Sequence, residues 1–169
     1  MPPAPQPATP IPDRPQVRVQ LQDFNVGSEY AALTAGRTDI GGIGCFVGTV
    51  RASPTGPSLE ALTLEHYPAM TERAIADIVA EAERRWPLLG CTVIHRVGRM
   101  VPGDNIVLVL AASAHRQAAL DATAFLIDWL KTKAPFWKRE SFVDGSTTWV
   151  DARETDDAAA ARWDPRRVG

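Results

Sequence analysis

The chain has 169 residues, 45% of them apolar and 22% charged, with a formal net charge of −2. This length favours one globular domain with a substantial core. The slightly acidic balance argues against a general binder of nucleic acid or of membrane surfaces, so any cationic function requires a local cluster of basic residues.

The N-terminal segment differs in composition from the rest of the chain. Its first fifteen residues hold seven of the fourteen prolines and no long aliphatic run. This composition is typical of a disordered tail and lacks the apolar centre of a signal peptide. We therefore expect a disordered proline-rich tail over residues 1–16 and a single domain over residues 17–169. The longest apolar run, residues 106–112, is too short to span a bilayer.

The two cysteines indicate a compartment and exclude one kind of chemistry. Cys45 and Cys91 lie far apart and lack CxxC spacing, which predicts neither a disulfide framework nor a zinc site. A reducing cytoplasm is the expected location. Cys45 lies in an apolar strand pattern and is expected to be a core residue, not a nucleophile.

The predicted elements mix hairpins with crossover helices. In chain order they are a strand at 17–21, a short helix from Ser28 to Ala35, strands at 41–51 and 59–67, a helix over 69–86, strands at 91–100 and 105–113, a long helix over 114–132, a hairpin around Asp144-Gly145 and a short helix over 154–163. Ser28 is expected to cap the first helix. Apolar residues spaced by four from Met70 to Trp86 are expected to form the buried face of the second. This order predicts an α+β fold with a mostly antiparallel sheet.

The segment over residues 129–140, WLKTKAPFWKRE, concentrates four cations and three aromatic residues. One interpretation is structural, because cations favour the negative end of a helix dipole and the aromatics can be core residues. A second interpretation is chemical. Leu120, Ala124, Ile127 and Lys131 follow helical spacing, so Lys131 extends an apolar stripe. A partly desolvated lysine is a usable proton donor, proton acceptor or nucleophile near neutral pH.

A second cluster, SAHR at residues 113–116, lies where a buried-looking strand meets the long helix. His115 and Arg116 in the first turn predict an anion site, because free backbone N–H groups and the helix dipole favour negative charge. The alternative is a solvated pair beside an ordinary serine cap. Arg51, at the end of a glycine-bearing strand, is a third candidate anion contact, or else a surface charge.

The three histidines do not indicate a metal site. His66, His95 and His115 are scattered and lack the spacing of metal ligands, so neither a metal nor a bound cofactor is expected. His66 and His95 are expected to be strand residues with satisfied hydrogen bonds. Neither a phosphate-binding glycine motif nor a GxSxG motif occurs.

Several motifs in one order resemble the family of large, catalytic subunits of molybdopterin synthase. They are FVGTVR (46–51), LEHYPAM (64–70), HRVGRMVPGD (95–104), SAHR (113–116), LKTKAPFWKRE (130–140) and AARW (160–163). The resemblance covers about residues 17–163. It implies an α/β hammerhead-type fold, within the α+β class, with an additional antiparallel three-stranded sheet.

The resemblance also implies an enzyme of molybdenum cofactor biosynthesis. Such an enzyme converts cyclic pyranopterin monophosphate into molybdopterin by installing two dithiolene sulfurs. The sulfur would arrive as a thiocarboxylate on the C-terminal Gly-Gly of a small ubiquitin-like subunit. Two large subunits would form a homodimer at the centre of a heterotetramer. Neither nucleic acid nor a membrane is expected as a partner.

The motifs imply roles for particular residues. Lys131 is the implied catalytic lysine, acting as a proton shuttle or as a transient covalent nucleophile, and Lys138 is a second essential cation. The implied substrate-binding residues are Thr49, Val50, Arg51, His115, Arg116, Lys131, Lys138, Arg139 and Glu140.

Geometry adds an expectation about assembly. His115 and Lys131 lie sixteen residues apart on one predicted helix, which separates them by about 24 Å. A pterin monophosphate is only on the order of 10 Å long, and no proline or glycine interrupts the helix. If both residues contact one substrate, the pocket is shared between two copies of the chain.

Two other classes of function remain open at this point. A non-catalytic module could hold a nucleotide or single-stranded RNA through the same basic and aromatic residues, with steeply salt-dependent binding. A scaffold could dock the ubiquitin-like protein without forming product.

Overall fold

The structure is a computed structural model that describes residues 16–150 and 154–167. Residues 1–15 of the predicted proline-rich tail lie outside the described residues. The elements in chain order are β1 (Gln16–Gln20), α1 (Val26–Thr34), β2 (Gly42–Thr49), β3 (Leu59–His66), α2 (Pro68–Arg85), β4 (Leu88–Arg96), β5 (Gly98–Met100), β6 (Asn105–Ser113), α3 (Arg116–Thr132), β7 (Phe136–Phe142), β8 (Thr147–Val150), α4 (Glu154–Ala161) and a short 3₁₀ helix (Pro165–Arg167).

The described strands form two four-stranded sheets. Sheet A has the order β1-β4-β6-β2, with β1 parallel to β4 and the other pairs antiparallel. Sheet B has the order β5-β3-β7-β8 and is antiparallel throughout. The α+β class with mostly antiparallel pairing is confirmed. The resemblance implied three strands in the second sheet, and the three-residue β5 at the edge of sheet B is the fourth.

The helices cover the two faces of sheet A unequally. α2 and α3 pack on one face, where Ile75 and Val79 of α2 and Leu126 of α3 join the larger apolar core. α1 packs on the other face, where Leu33 contacts a smaller cluster that includes Ile94. Successive strand residues point to opposite faces, so each buried strand of sheet A supplies both cores.

The predicted strand over residues 91–100 is divided between the two sheets. β4 ends at Arg96, and Gly98 begins β5 with a φ of 83°. This left-handed backbone conformation favours glycine, which has no Cβ to clash. A Cβ at Gly98 would also lie 2.8 Å from Leu21 Cδ2. The prediction of one strand was wrong because apolar alternation continues through the bend.

Two details of the helices differ from expectation. Asn25, not Ser28, caps α1, and its side chain accepts a hydrogen bond from the Ser28 backbone N–H at 2.9 Å. The buried face of α2 shares only Ala82 with the predicted stripe. At the start of the helix it is offset by one residue, because Met70 is 50% exposed whereas its neighbour Thr71 is fully buried. Two adjacent helical rows both contain apolar residues here, so spacing alone did not separate them.

Helix α3 lies very close to strand β2. A Cβ at Gly44 would lie 2.1 Å from Thr123 Oγ1 and 2.5 Å from the Ala119 carbonyl oxygen, so only glycine allows this approach. None of the described helices combines the length and apolar character needed to cross a membrane.

Candidate active site

A pocket of about 760 Å³ lies between the two sheets and the C-terminal end of α3. Sheet A contributes the end of β2, one residue of β4 and the start of β6, and sheet B contributes β3 and β7. The lining residues used below are Thr49, Val50, Arg51, His95, Lys131, Phe136, Lys138 and Glu140. The structure thus brings together six of the predicted site residues: Thr49, Val50, Arg51, Lys131, Lys138 and Glu140.

Strand β7 forms one wall of the pocket by simple alternation. Phe136, Lys138 and Glu140 line the pocket, two residues apart from each other. Arg139 is not among the lining residues, and its guanidinium instead lies 5.8 Å from the centre of the Trp149 ring. The structure therefore does not bring Arg139 to this pocket within one chain.

Lys131 occupies the last turn of α3, where a cation favours the helix dipole. Lys131 was predicted to extend an apolar stripe that begins at Leu120. Leu120 is 56% exposed, so the first residue of this stripe faces solvent. That prediction was wrong for Leu120. The half-buried Lys131 lines the pocket beside Leu130 and Thr132, at the point where α3 ends.

The C-terminal segment after α4 holds the end of α3 in place. Asp128, one turn before Lys131, accepts hydrogen bonds from Trp163 Nε1 at 2.7 Å and from Arg162 Nε at 3.1 Å. The Trp163 ring packs edge-on against Phe125, with ring centres 5.7 Å apart. The AARW motif thus acts as a clamp on the helix that carries Lys131.

The segment after β2 is fixed by the turn before β6. The Val50 backbone N–H donates to the Asp104 carbonyl at 2.8 Å, and the Gly103 N–H donates to the Val50 carbonyl at 2.8 Å. Val50 is buried, whereas Thr49 and Arg51 are exposed and line the pocket. Arg51 is thus at once a strand-end surface charge and a residue of the pocket lining.

His115 and Arg116 lie at the opposite end of α3 from Lys131. His115 is the N-cap residue and makes no side-chain cap hydrogen bond, so the helix begins at Arg116, later than predicted. Ser113 does not cap it either, because the buried Ser113 hydroxyl donates to the Pro87 carbonyl at 2.9 Å. Both His115 and Arg116 are exposed, and neither lines the pocket. A continuous α3 separates them from Lys131 by about 24 Å.

His95 lines the pocket, although the sequence predicted only a strand residue there, at the start of the motif HRVGRMVPGD (95–104). It was expected to be a strand residue with a satisfied hydrogen bond, and its Nδ1 does lie 2.9 Å from the Arg96 carbonyl oxygen. Its side chain is 6% exposed and faces the pocket region. Strand periodicity predicts burial but does not distinguish a core from a pocket, so only the place of His95 in that motif could have indicated a role.

The cysteines lie away from the pocket lining. Cys45 is exposed on β2, an edge strand of sheet A, so its predicted core position was wrong. Partial burial raises the pKa of the Cys45 thiol, and full burial raises the pKa of Cys91 to about 12. Across residues 16–150 and 154–167, no three His, Cys, Asp or Glu side chains are grouped as ligands for a metal ion.

Comparison with known proteins gives a consistent result. The family model described as MoaE protein matches residues 19–133. A molybdopterin synthase catalytic subunit of Mesorhizobium japonicum is 58% identical over 150 residues, covering 88% of this chain and 93% of that protein. One from Escherichia coli is 55% identical over 148 residues, covering 88% and 97%.

Solved structures show the same similarity. The molybdopterin biosynthesis MoaE protein from Burkholderia ambifaria is 50% identical, with a TM-score of 0.75, and the match covers 88% of this chain and 97% of that one. A complex of subunits 1 and 2 of molybdopterin-converting factor from Helicobacter pylori has a chain with a TM-score of 0.65 at 18% identity, covering 82% and 90%. At that identity the likeness concerns the fold alone.

Proposed function

This chain belongs to the MoaE protein family, and from that premise we propose that it works as the catalytic subunit of a molybdopterin synthase, an enzyme of molybdenum cofactor biosynthesis. The family model matches well over half of the chain, and the chain spans nearly the full length of its relatives. The match includes the strands and the helix that line most of the pocket.

The proposed reaction is sulfur transfer to cyclic pyranopterin monophosphate, which yields the dithiolene of molybdopterin. This substrate is a flat, hydrogen-bonding ring that carries a phosphate. A pocket of about 760 Å³ is in the size range of small-molecule sites. Its apolar side includes the Phe136 ring, against which a flat ring can pack.

The observation that carries this proposal is the grouping of Lys131, Lys138 and Arg51 around one pocket in a chain of net negative charge. Charge-assisted hydrogen bonds from such cations suit a phosphate. Glu140, on the same wall as Lys138, is an acceptor for the N–H groups of a pterin. Lys131 is the proposed catalytic amine, with proton transfer and covalent attack both open.

The sulfur donor is proposed to be the thiocarboxylated C-terminus of a small ubiquitin-like subunit. Among the described residues, the pocket lining includes neither cysteine, which supports an external source of sulfur. The Helicobacter pylori complex of two subunits, whose chain shares this fold, supports a small-subunit partner. The cytoplasmic location is likewise a proposal, supported by two free thiols that a reducing compartment permits.

We further propose that two copies of the chain form the core of a heterotetramer and share each pocket. His115 and Arg116 lie on an exposed end of α3, about 24 Å from Lys131 of the same chain. A symmetric dimer can place them beside Lys131 of the partner copy and so complete two equivalent sites. Arg139, on the outer face of β7, is a proposed site residue only in such an assembly.

Each copy is proposed to be a single domain over residues 17–169.

The decisive experiment combines this chain, the thiocarboxylated small subunit and cyclic pyranopterin monophosphate, with molybdopterin as the measured product. Product formation supports the proposal. Retained binding of the small subunit without product would instead support a docking scaffold. Salt-sensitive RNA binding without product would support a nucleic-acid module.

A further inference from the structure

His95 is a nearly buried imidazole in the wall of the pocket. It is the second-to-last residue of β4 and pairs with Val107 of β6 and with Val19 of β1. Its side chain lies on the same face of sheet A as Val93, which belongs to the larger core. At the end of this face the core gives way to the pocket, which His95 lines together with Lys131.

Two contacts fix the imidazole ring. Nδ1 lies 2.9 Å from the Arg96 carbonyl oxygen, and a carbonyl can only accept, so Nδ1 carries the proton and donates it. The ring also stacks on Phe136 of β7, with ring centres 4.1 Å apart and planes at 25°. The hydrogen bond selects the tautomer, and the stacking selects the plane. Nε2 is therefore left as the acceptor nitrogen of the ring.

The ring is neutral at pH 7. Burial lowers the pKa of His95 to about 4, against the opposing effect of the Arg96 carbonyl. The positive charges of Lys131 on α3 and Lys138 on β7 lower this pKa further, with Lys131 acting more strongly than Lys138, and the neighbouring His66 on β3 acts in the same direction. The pocket that Lys131, Lys138 and Arg51 line therefore has a neutral acceptor at His95 and not a fourth cation.

We propose that His95 is a positioning residue for Lys131: its Nε2 accepts a hydrogen bond from the Lys131 ammonium group and holds that group toward the bound substrate. This assignment rests on the proposed function, because it gives a role in that reaction. A lysine side chain has many rotamers, and an acceptor held in one place reduces the number that the amine visits. In this role the His95 imidazole transfers no atom and forms no covalent bond.

The test compares three substitutions that keep different parts of the ring. His95→Gln places an amide oxygen near the position of Nε2, whereas His95→Asn reaches only the position of Nδ1. His95→Phe keeps the ring shape and the stacking on Phe136 but has no acceptor. We expect His95→Gln to retain kcat within about fivefold, and the other two to lose at least about tenfold in kcat with KM changed less than about threefold.

The pH profile of kcat separates positioning from a structural role. Within the described residues, the charged and titratable side chains that line the pocket with Lys131 are His95 on β4, Lys138 and Glu140 on β7, and Arg51 after β2. All of these except His95 stay in place in every variant. Because an acceptor stabilises a protonated amine, its loss in His95→Phe moves the midpoint of the kcat profile to lower pH, and His95→Gln leaves the midpoint near that of wild type.

The matched control is His66→Gln. His66 also lies near Phe136, with ring centres 6.3 Å apart and planes at 40°, and is not among the pocket-lining residues. We expect it to keep kcat within about twofold. Equal losses in all three His95 variants, or no loss in any, overturn the inference. If His95→Phe does not fold, the Gln and Asn variants decide alone. Failure of the wild-type chain to form product would instead count against the proposed function.

Discussion

We expect that mixing two inactive variants of this chain restores about a quarter of the wild-type activity. One variant is His115→Ala/Arg116→Ala, and the other is Lys131→Ala. Each is expected to be inactive alone, because each lacks one side of every pocket. Mixing the two variants therefore tests whether the two ends of α3 from one chain contribute to the same pocket or to different pockets.

The expected magnitude follows from the geometry of α3. His115 and Lys131 lie about 24 Å apart on a continuous helix, whereas a pterin monophosphate is on the order of 10 Å long. One copy therefore cannot hold the substrate with both ends of its helix. In a mixed dimer, one pocket receives both lesions and the other receives neither. Random pairing makes half of the dimers mixed, and each has one intact pocket of two, which gives roughly a quarter of the activity.

The assay unfolds and refolds the two variants together, adds the thiocarboxylated small subunit and the pterin, and measures molybdopterin. The matched control mixes Lys131→Ala with Lys138→Ala. Both residues line the same pocket of one chain, so each pocket of that mixed dimer carries one lesion, and the mixture is expected to be no more active than the average of the two variants measured alone. Absence of recovery in the first mixture, with mixed dimers shown to form, would refute the shared pocket.

Lys131→Ala should abolish turnover while the circular dichroism spectrum stays unchanged. Lys131→Arg should also be inactive, because a guanidinium stays protonated near neutral pH. Substantial turnover in the arginine variant would exclude an acid–base or nucleophilic role for Lys131. Arg51→Ala and Lys138→Ala should each lose about 1.5–3 kcal/mol of substrate binding, measured as a roughly 10- to 150-fold lower kcat/KM that arises mainly in KM. Either variant with normal kinetics would remove that residue from the site. Lowering the pH from 7 to 4 should cost about 3 kcal/mol of unfolding free energy at His95, because the unfolded chain binds this proton near pH 6.5 and the folded chain only near pH 4. Urea unfolding of His95→Gln should therefore depend less steeply on pH over this window, and an equal dependence would contradict the buried neutral ring.

The order and type of the elements were predictable because apolar periodicity reports burial. β6 was predicted over residues 105–113 and spans Asn105–Ser113. The Asp144-Gly145 turn was predicted from its chemistry, and Gly145 has a φ of 85°. Boundaries that depend on one side chain were not predictable in the same way. The cap at Asn25 and the bend at Gly98 follow from local hydrogen bonding and backbone geometry, which periodicity does not record.

The sequence also did not predict which apolar residues at the edges of the fold are exposed to solvent. Cys45 follows the apolar pattern of a core strand, yet β2 is an edge strand and leaves the thiol exposed. Leu120 follows the helical stripe that leads to Lys131, yet it is exposed on α3. An apolar pattern indicates which residues can be buried. Which of them are buried depends on the other elements that pack over them in the tertiary structure.

The pocket was predicted in part. The motifs implied one site for Lys131, Lys138 and Arg51, and the structure places all three in the lining of one pocket. The opposite orientation of Arg139 was foreseeable, because neighbours along a strand point to opposite faces. His95 was not foreseeable from strand periodicity, because its position depends on where β4 passes from core to pocket.

The pairing of β3 with β7 has a consequence for the order in which the chain folds. His95 on β4 pairs with Val107 after a loop of about 11 residues, whereas His66 on β3 pairs with Phe136 after about 70. Closing the longer loop costs about 1.6 kcal/mol more in chain entropy, and the chain must have reached β7 first. The β4–β6 pair of sheet A can therefore form while β7 is still unpaired, and the wall that carries Lys138 joins a hairpin that is already in place.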